Sequence, residues 1–229
     1  TQRSTLFPYT TLFRSTVSTT GDVDVSGSGV LNGAGVLTMA PNATTADITV
    51  SGGASCDVDL VFAATGVGGA VVLANPGANT TLGGDVTVSG GTFQIPNGKT
   101  LDVGGVFSVV GATLDLDGSL TSAGGAAVSN GAVLDGTTGS FGPLLTASAG
   151  TSTLAAAATL TFGRGVAVSG GAVLVLDGTA AFASATVDGT LQVVGAGSSV
   201  TGTTSVAGLL DVDESFTTTG RSEERRVGK

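Results

Sequence analysis

VTVSGGTFQIPNGKTLDVGG (Val86–Gly105) and VFSVVGATLDLDGSLTSAGG (Val106–Gly125) stand back to back as two units of twenty residues. Each opens on an alternating strand, turns on small residues and runs a second alternating strand, Phe93-x-Ile95 in one and Leu114-x-Leu116 in the other. Each ends in Gly-Gly. A fixed period near twenty residues, built only from short strands and Gly-rich turns, predicts a β-solenoid. Residues i and i+2 of a strand share a face, so Phe93 and Ile95 are expected inside and Gln94 outside.

Outward from this pair, the repeat can be followed by its turn glycines at 33, 53, 69, 91, 111, 131, 150, 171, 189 and 208. Apolar pairs follow them: Leu37 with Met39, Cys56 with Val58 and Leu60, Val71 with Leu73, and Leu134. Later come Leu154, Leu174 with Leu176, Leu191 with Val193, and Leu210 with Val212. Turns that differ by a residue or two are tolerated because loop length costs little. The least regular units are Thr16–Asn32 and the one around Gly150, where Ala155–Ala158 favours helix by propensity. A helix there would interrupt a ladder that resumes at Val166, so a strand is expected. Pro96-Asn97-Gly98 has turn chemistry, Pro fixing φ and Gly accepting positive φ. The expected fold is all-β: one solenoid of about ten coils, each too thin to hold a core alone.

The two ends read differently. Residues 7–15 are FPYTTLFRS and residues 221–229 are RSEERRVGK. Read against each other in opposite directions, all nine residue pairs can be encoded by reverse-complementary codons, from Phe7 with Lys229 (TTT, AAA) to Ser15 with Arg221 (TCT, AGA). One DNA segment could therefore encode both ends from opposite strands, and it resembles the adapter ligated to fragments in sequencing libraries. Residues 1–15 and 221–229 are accordingly expected to be foreign to the domain, the first of them unstructured, with the solenoid spanning residues 16–220.

Within 16–220 the only cations are Lys99 and Arg164, against fourteen Asp and Glu214, a net charge of −13; the whole chain carries −9. Nucleic acid and anionic membranes need clustered Lys and Arg, so neither is an expected partner. No apolar run approaches the roughly twenty residues that span a bilayer, and membrane insertion is not expected. His and Trp are absent from the chain. Cys56 is alone, and in GASCDV it occupies the place of Leu114 in GATLDL, which reads as a core position rather than a reactive thiol.

The repeated strings VSGG (at Val50, Val88 and Val168) and GA-x-[LC]-x-[LV] (at Gly53, Gly111 and Gly171) are of the kind found in right-handed parallel β-helices. In this texture residues 16–220 resemble the passenger regions of bacterial autotransporters and filamentous-haemagglutinin-like surface proteins. The resemblance implies secretion, display at the cell surface, and a stalk or adhesive role with a surface ligand or carbohydrate as partner. The same fold also carries pectin-lyase-like enzymes, which keeps a carbohydrate-active segment as the alternative.

Asp-x-Asp recurs at Asp22/Asp24, Asp57/Asp59, Asp115/Asp117 and Asp211/Asp213, the last beside Glu214. With Val58, Leu116 and Val212 expected inside, the flanking carboxylates should face solvent. Asp115, Asp117, Asp211 and Asp213 are the weak calcium candidates, since calcium takes six to eight oxygens. The GGxGxD repeat of calcium-binding β-rolls is missing, and the acids read better as charges that keep strands from pairing with foreign sheets. A lyase would need a base beside such acids, but Lys99 and Arg164 lie in Gly-flanked turns about three coils apart and are expected to be exposed. No phosphate loop is formed by Gly66-Val67-Gly68-Gly69, which lacks the Lys-Ser/Thr. The chain is thus expected to be non-enzymatic and without a cofactor. Its coil ends are expected to offer strand edges for end-to-end self-association once salt screens the charge.

Overall fold

A computed structural model describes residues 10–219 and 222–224, with side chains from residue 14 to 219. The described chain holds strands and turns and no helix. Its strands stack in parallel ladders on three faces. An eleven-stranded sheet begins at Val17–Thr19, and a ten-stranded sheet begins at Val23–Val25. The third face is split into a three-stranded sheet and an eight-stranded sheet that begins at Asn79–Leu82. The chain visits the three faces in turn, so this is a parallel β-solenoid with a period near twenty residues. Along the eleven-stranded sheet Val86 lies opposite Phe107, Phe107 opposite Ala126, and Ala126 opposite Leu145.

The core consists of vertical files of like side chains. On the ten-stranded sheet Phe93, Leu114, Leu134, Leu154, Leu176 and Val193 stack in register, all buried. On the third face the file is Leu101, Leu120, Phe141, Phe162, Phe182 and Val200. Phe162 and Phe182 stack with ring centroids 4.9 Å apart, and Phe141 lies 5.5 Å from Phe162. Alternation alone puts these side chains inside: within Thr113–Leu116, Leu114 and Leu116 are buried while Thr113 and Asp115 are partly exposed.

Corners repeat as well. Asp117 and Gly118 both donate their N–H groups to the Ile95 carbonyl one coil away, at 3.0 Å each. Ala207 and Gly208 do the same to Val187 at 2.8 Å. The second residue must be glycine: a Cβ on Gly118 would lie 2.3 Å from the Lys99 carbonyl oxygen, and one on Gly208 would lie 2.0 Å from that of Gly189.

Three expectations give way to the structure. Ala155–Ala158 is neither strand nor helix but a tight turn closed by the Ala158 N–H on the Ala155 carbonyl at 2.9 Å. The methyl of Ala158 is buried, and an alanine run serves here because it is small enough for a corner. Thr16–Asn32, although it fits the repeat least, belongs to the solenoid as expected, with strands on the three faces at Val17–Thr19, Val23–Val25 and Val30–Gly33. The glycines at 33, 53 and 69 occupy different corners, so Cys56 sits in the third face at Ser55–Cys56 and not in the sheet of Leu114. Gly-small-apolar texture is common to all corners and does not say which face follows. Finally, Val212, inward by its register with Val193, is 40% exposed, because Leu209–Val212 is the last strand of its sheet among the described residues.

Residues 10–13 and 222–224 fall in the adapter-like segments and nevertheless carry strands, Thr10–Phe13 pairing with Val30–Gly33 and Ser222–Glu224 pairing with Thr204–Val206. This differs, over residues 10–13, from the expectation of an unstructured end. Ladder bonds use only main-chain groups, so an extended segment can prolong an open edge whatever its origin. Residues 1–9 lie outside the described residues.

Candidate functional site

Two features of the surface hold the residues singled out above. One is the set of ionisable side chains at the corners, and the other is a groove across the third face.

At the corners, four carboxylates, those of Asp22, Asp59, Asp85 and Asp117, accept from main-chain N–H groups of the next coil. Asp59 accepts from the N–H of Asp85 at 2.9 Å, and Asp85 in turn accepts from Val106 at 2.8 Å. Asp22 accepts from the N–H of Asp47 at 3.0 Å. Asp117 takes both the N–H and the hydroxyl of Thr137, at 2.7 and 2.8 Å. Asp102 accepts from the Thr121 hydroxyl. A carboxylate bond of this kind is stronger than a neutral one, and each joins coils that are neighbours in the stack.

Lys99 differs from its expected exposure. It is half-buried, and its Nζ donates to the carbonyls of Asn75 at 2.5 Å and Gly77 at 3.0 Å. The loop it reaches is itself pinned from inside. Asn75, 3% exposed, accepts the Val50 N–H at 2.5 Å through Oδ1 and gives its Nδ2 to the Val50 carbonyl. The side-chain amide imitates a strand's pair of ladder bonds where the third face is interrupted. Sequence reading missed Asn75, Asp85 and Asp102. An Asn-Pro dipeptide such as that at 75–76 favours a turn, but nothing in it says that the amide turns inward. Arg164 is exposed, as expected.

Asp115 has another setting. It lies opposite Asp135 in the ladder, with Gln94 on its other side, and accepts from Gln94 Nε2 at 3.2 Å. Partial burial raises its carboxyl above the ordinary carboxylate value, Asp117 and Asp135 add to the rise, and the Gln94 bond opposes it. Asp211 and Asp213 stand exposed on the terminal coil. Among the described residues no three His, Cys, Asp or Glu side chains converge so that they could hold a metal ion. We expect calcium to move the melting temperature by no more than a few degrees; a rise of ten degrees or more would establish the Asp-x-Asp pairs as real sites. Cys56 is buried and its thiol is pushed up to about 11, chiefly by that burial, which suits a packing residue rather than a nucleophile.

The raised carboxyl of Asp115 sets a direction for pH. The folded chain holds the Asp115 proton more tightly than the unfolded chain does, so the charged form is penalised in the fold. Stability from this group therefore increases as pH falls through the folded pKa, and levels off below the unfolded value of 3.8. Asp115→Asn should melt about one degree higher than the parent at pH 7 and equal to it near pH 3, the effect being small because the group keeps solvent contact. A lower melting temperature for the variant at pH 7 would refute this account.

The groove, of about 510 Å³, crosses the third face over the strands Thr100–Val103, Ser119–Ser122, Gly139–Phe141 and Thr159–Phe162. Thr100, Ser119, Ser140 and Thr161 form one outward file in register across these strands, and Thr159 begins a second with Thr179. Lys99 and Asp117, at its margin, are its only charged lining residues. Comparison with protein-family models, curated proteins and solved structures finds no match to this chain.

Proposed function

We propose that this chain is a structural or adhesive segment of a β-solenoid protein exported to a bacterial cell surface, and that it performs no catalysis. The observation that carries the reading is the use made of the ionisable side chains. Asp22, Asp59, Asp85 and Asp117 tie one coil to the main chain of the next, and Lys99 ties back to the loop of the coil before. Groups spent in this way reinforce a rod along its axis. A general acid or base would instead need to face a substrate with its proton available. Secretion and surface display follow from the family resemblance of the repeat texture, which such a rod suits.

The test is incubation of the purified chain with pectin, polygalacturonate, alginate and neutral glucans, followed for new reducing ends and unsaturated products. No turnover is expected. Turnover of any of these polymers would overturn the reading in favour of a pectin-lyase-like, carbohydrate-active segment. The inward Val212, 40% exposed on the last described strand of its sheet, also leads us to expect weak end-to-end association that grows with salt. Sedimentation velocity at low salt and at 1 M, where the screening length falls to about 3 Å, should show oligomers only in the second condition. Oligomers that dissolve as salt rises would contradict it.

A further inference from the structure

We propose that the groove on the third face binds an uncharged, extended β-linked glycan lying along the solenoid axis. The proposal rests on the adhesive reading above and gives it a place and a ligand class.

The strands under the groove are parallel and in register, so its hydroxyls recur at the strand spacing of about 4.8 Å. Across four strands, from Thr100 through Ser119 and Ser140 to Thr161, that makes a row roughly 14 Å long. Each hydroxyl can donate one bond and accept two. A linear ligand that offers hydroxyl and ether oxygens at a similar advance per unit matches such a row, and an extended chain of pyranoses does so at about one sugar per coil. Thr159, two residues before Thr161 on the same strand face, adds a further hydroxyl beside the row.

Charge selects the class of glycan. Lys99 already donates to the Asn75 and Gly77 carbonyls, and Asp117 already accepts two bonds from Thr137. Lys99 thus has two of its three donors tied to the loop, and Asp117 repels a uronate or a sulfate. The surrounding chain carries a net −9, which repels polyanions further. Ser140, Thr159 and Thr161 are exposed, so a ligand reaches them without any movement of the fold. Without an aromatic platform among the lining residues, binding comes from hydrogen bonds and is weak per chain, on the order of millimolar. Repetition along a polymer is what would make it useful to an adhesin.

The test uses the full chain in native gels cast with hydroxyethyl cellulose or with polygalacturonate, and titration calorimetry with cellohexaose. Retardation is expected in the neutral gel and not in the acidic one. Ser140→Arg, which puts a bulky cation in the middle of the row, should weaken cellohexaose binding at least tenfold. Thr186→Arg, on an exposed position of the eleven-stranded sheet, should leave binding unchanged, and both variants should melt close to the parent. No retardation, equal loss in both variants, or preference for polygalacturonate would overturn the proposal while leaving the structural reading intact. Cleavage of the glucan would support the groove and overturn the non-catalytic reading instead.

Discussion

Leu116→Asp should lower the melting temperature by roughly ten degrees or more, whereas Asp115→Ser or Asp117→Ser should shift it by only a few. Leu116 is fully buried, in a strand whose other inward residue, Leu114, stacks between Phe93 and Leu134. A carboxylate there has no partner and no water, a penalty of several kcal/mol, or else it must take up a proton and still leave polar atoms unbonded. The adjacent Asp115 and Asp117 reach the surface, where Asp115→Ser removes a carboxylate that the fold penalises and Asp117→Ser loses two bonds to Thr137. Thermal unfolding followed by circular dichroism is sufficient to check this. Equal tolerance at positions 115 and 116 would mean that the inside and outside of the coil have been exchanged.

Phe162→Ala should cost about 3–5 kcal/mol, the range for removing a buried aromatic ring. The ring is the middle member of a file of three, 5.5 Å from Phe141 and 4.9 Å from Phe182. No small residue beside it can move in to fill the space, because each neighbour is held in register by its own ladder bonds. Phe162→Leu keeps most of the volume and should cost clearly less. The double variant Phe162→Ala with Phe182→Ala should cost less than the two single changes together, since the stacking term of about 0.5–1.5 kcal/mol is lost only once. Strictly additive costs in denaturant titrations would show that the rings pack as independent residues and not as a stack.

Such effects are local in origin but not in reach. A solenoid is stabilised by contacts between neighbouring coils, so a lesion at Phe162 weakens the joints on both sides of it. The polar stitches at Asp59, Asp85 and Asp117 act from outside between other pairs of neighbouring coils. Core files and carboxylate bonds therefore reinforce the same direction, along the axis.

The amino-acid sequence was enough to reveal the class of fold, the period and the inward residues of the regular units, because alternation along a strand is a property of the chain alone. Phe93, Ile95, Leu114, Leu116, Leu174 and Leu176 could all be placed inside from their spacing, and all are buried. It also determined that Cys56 belongs to the core. The stacking of the coils settles which corner each glycine turns, since Gly-small-apolar strings look alike on all three faces. It decided that Ala155–Ala158 closes a turn, that Asn75 points inward to bond Val50, and that Val212 is left half in solvent at the end of the stack. The bonds of Asp85 to Val106 and of Lys99 to Asn75 join residues 21 and 24 positions apart. Contacts at that separation depend on the register of whole coils against each other. That register is set by the summed lengths of three strands and three corners, which no local pattern specifies.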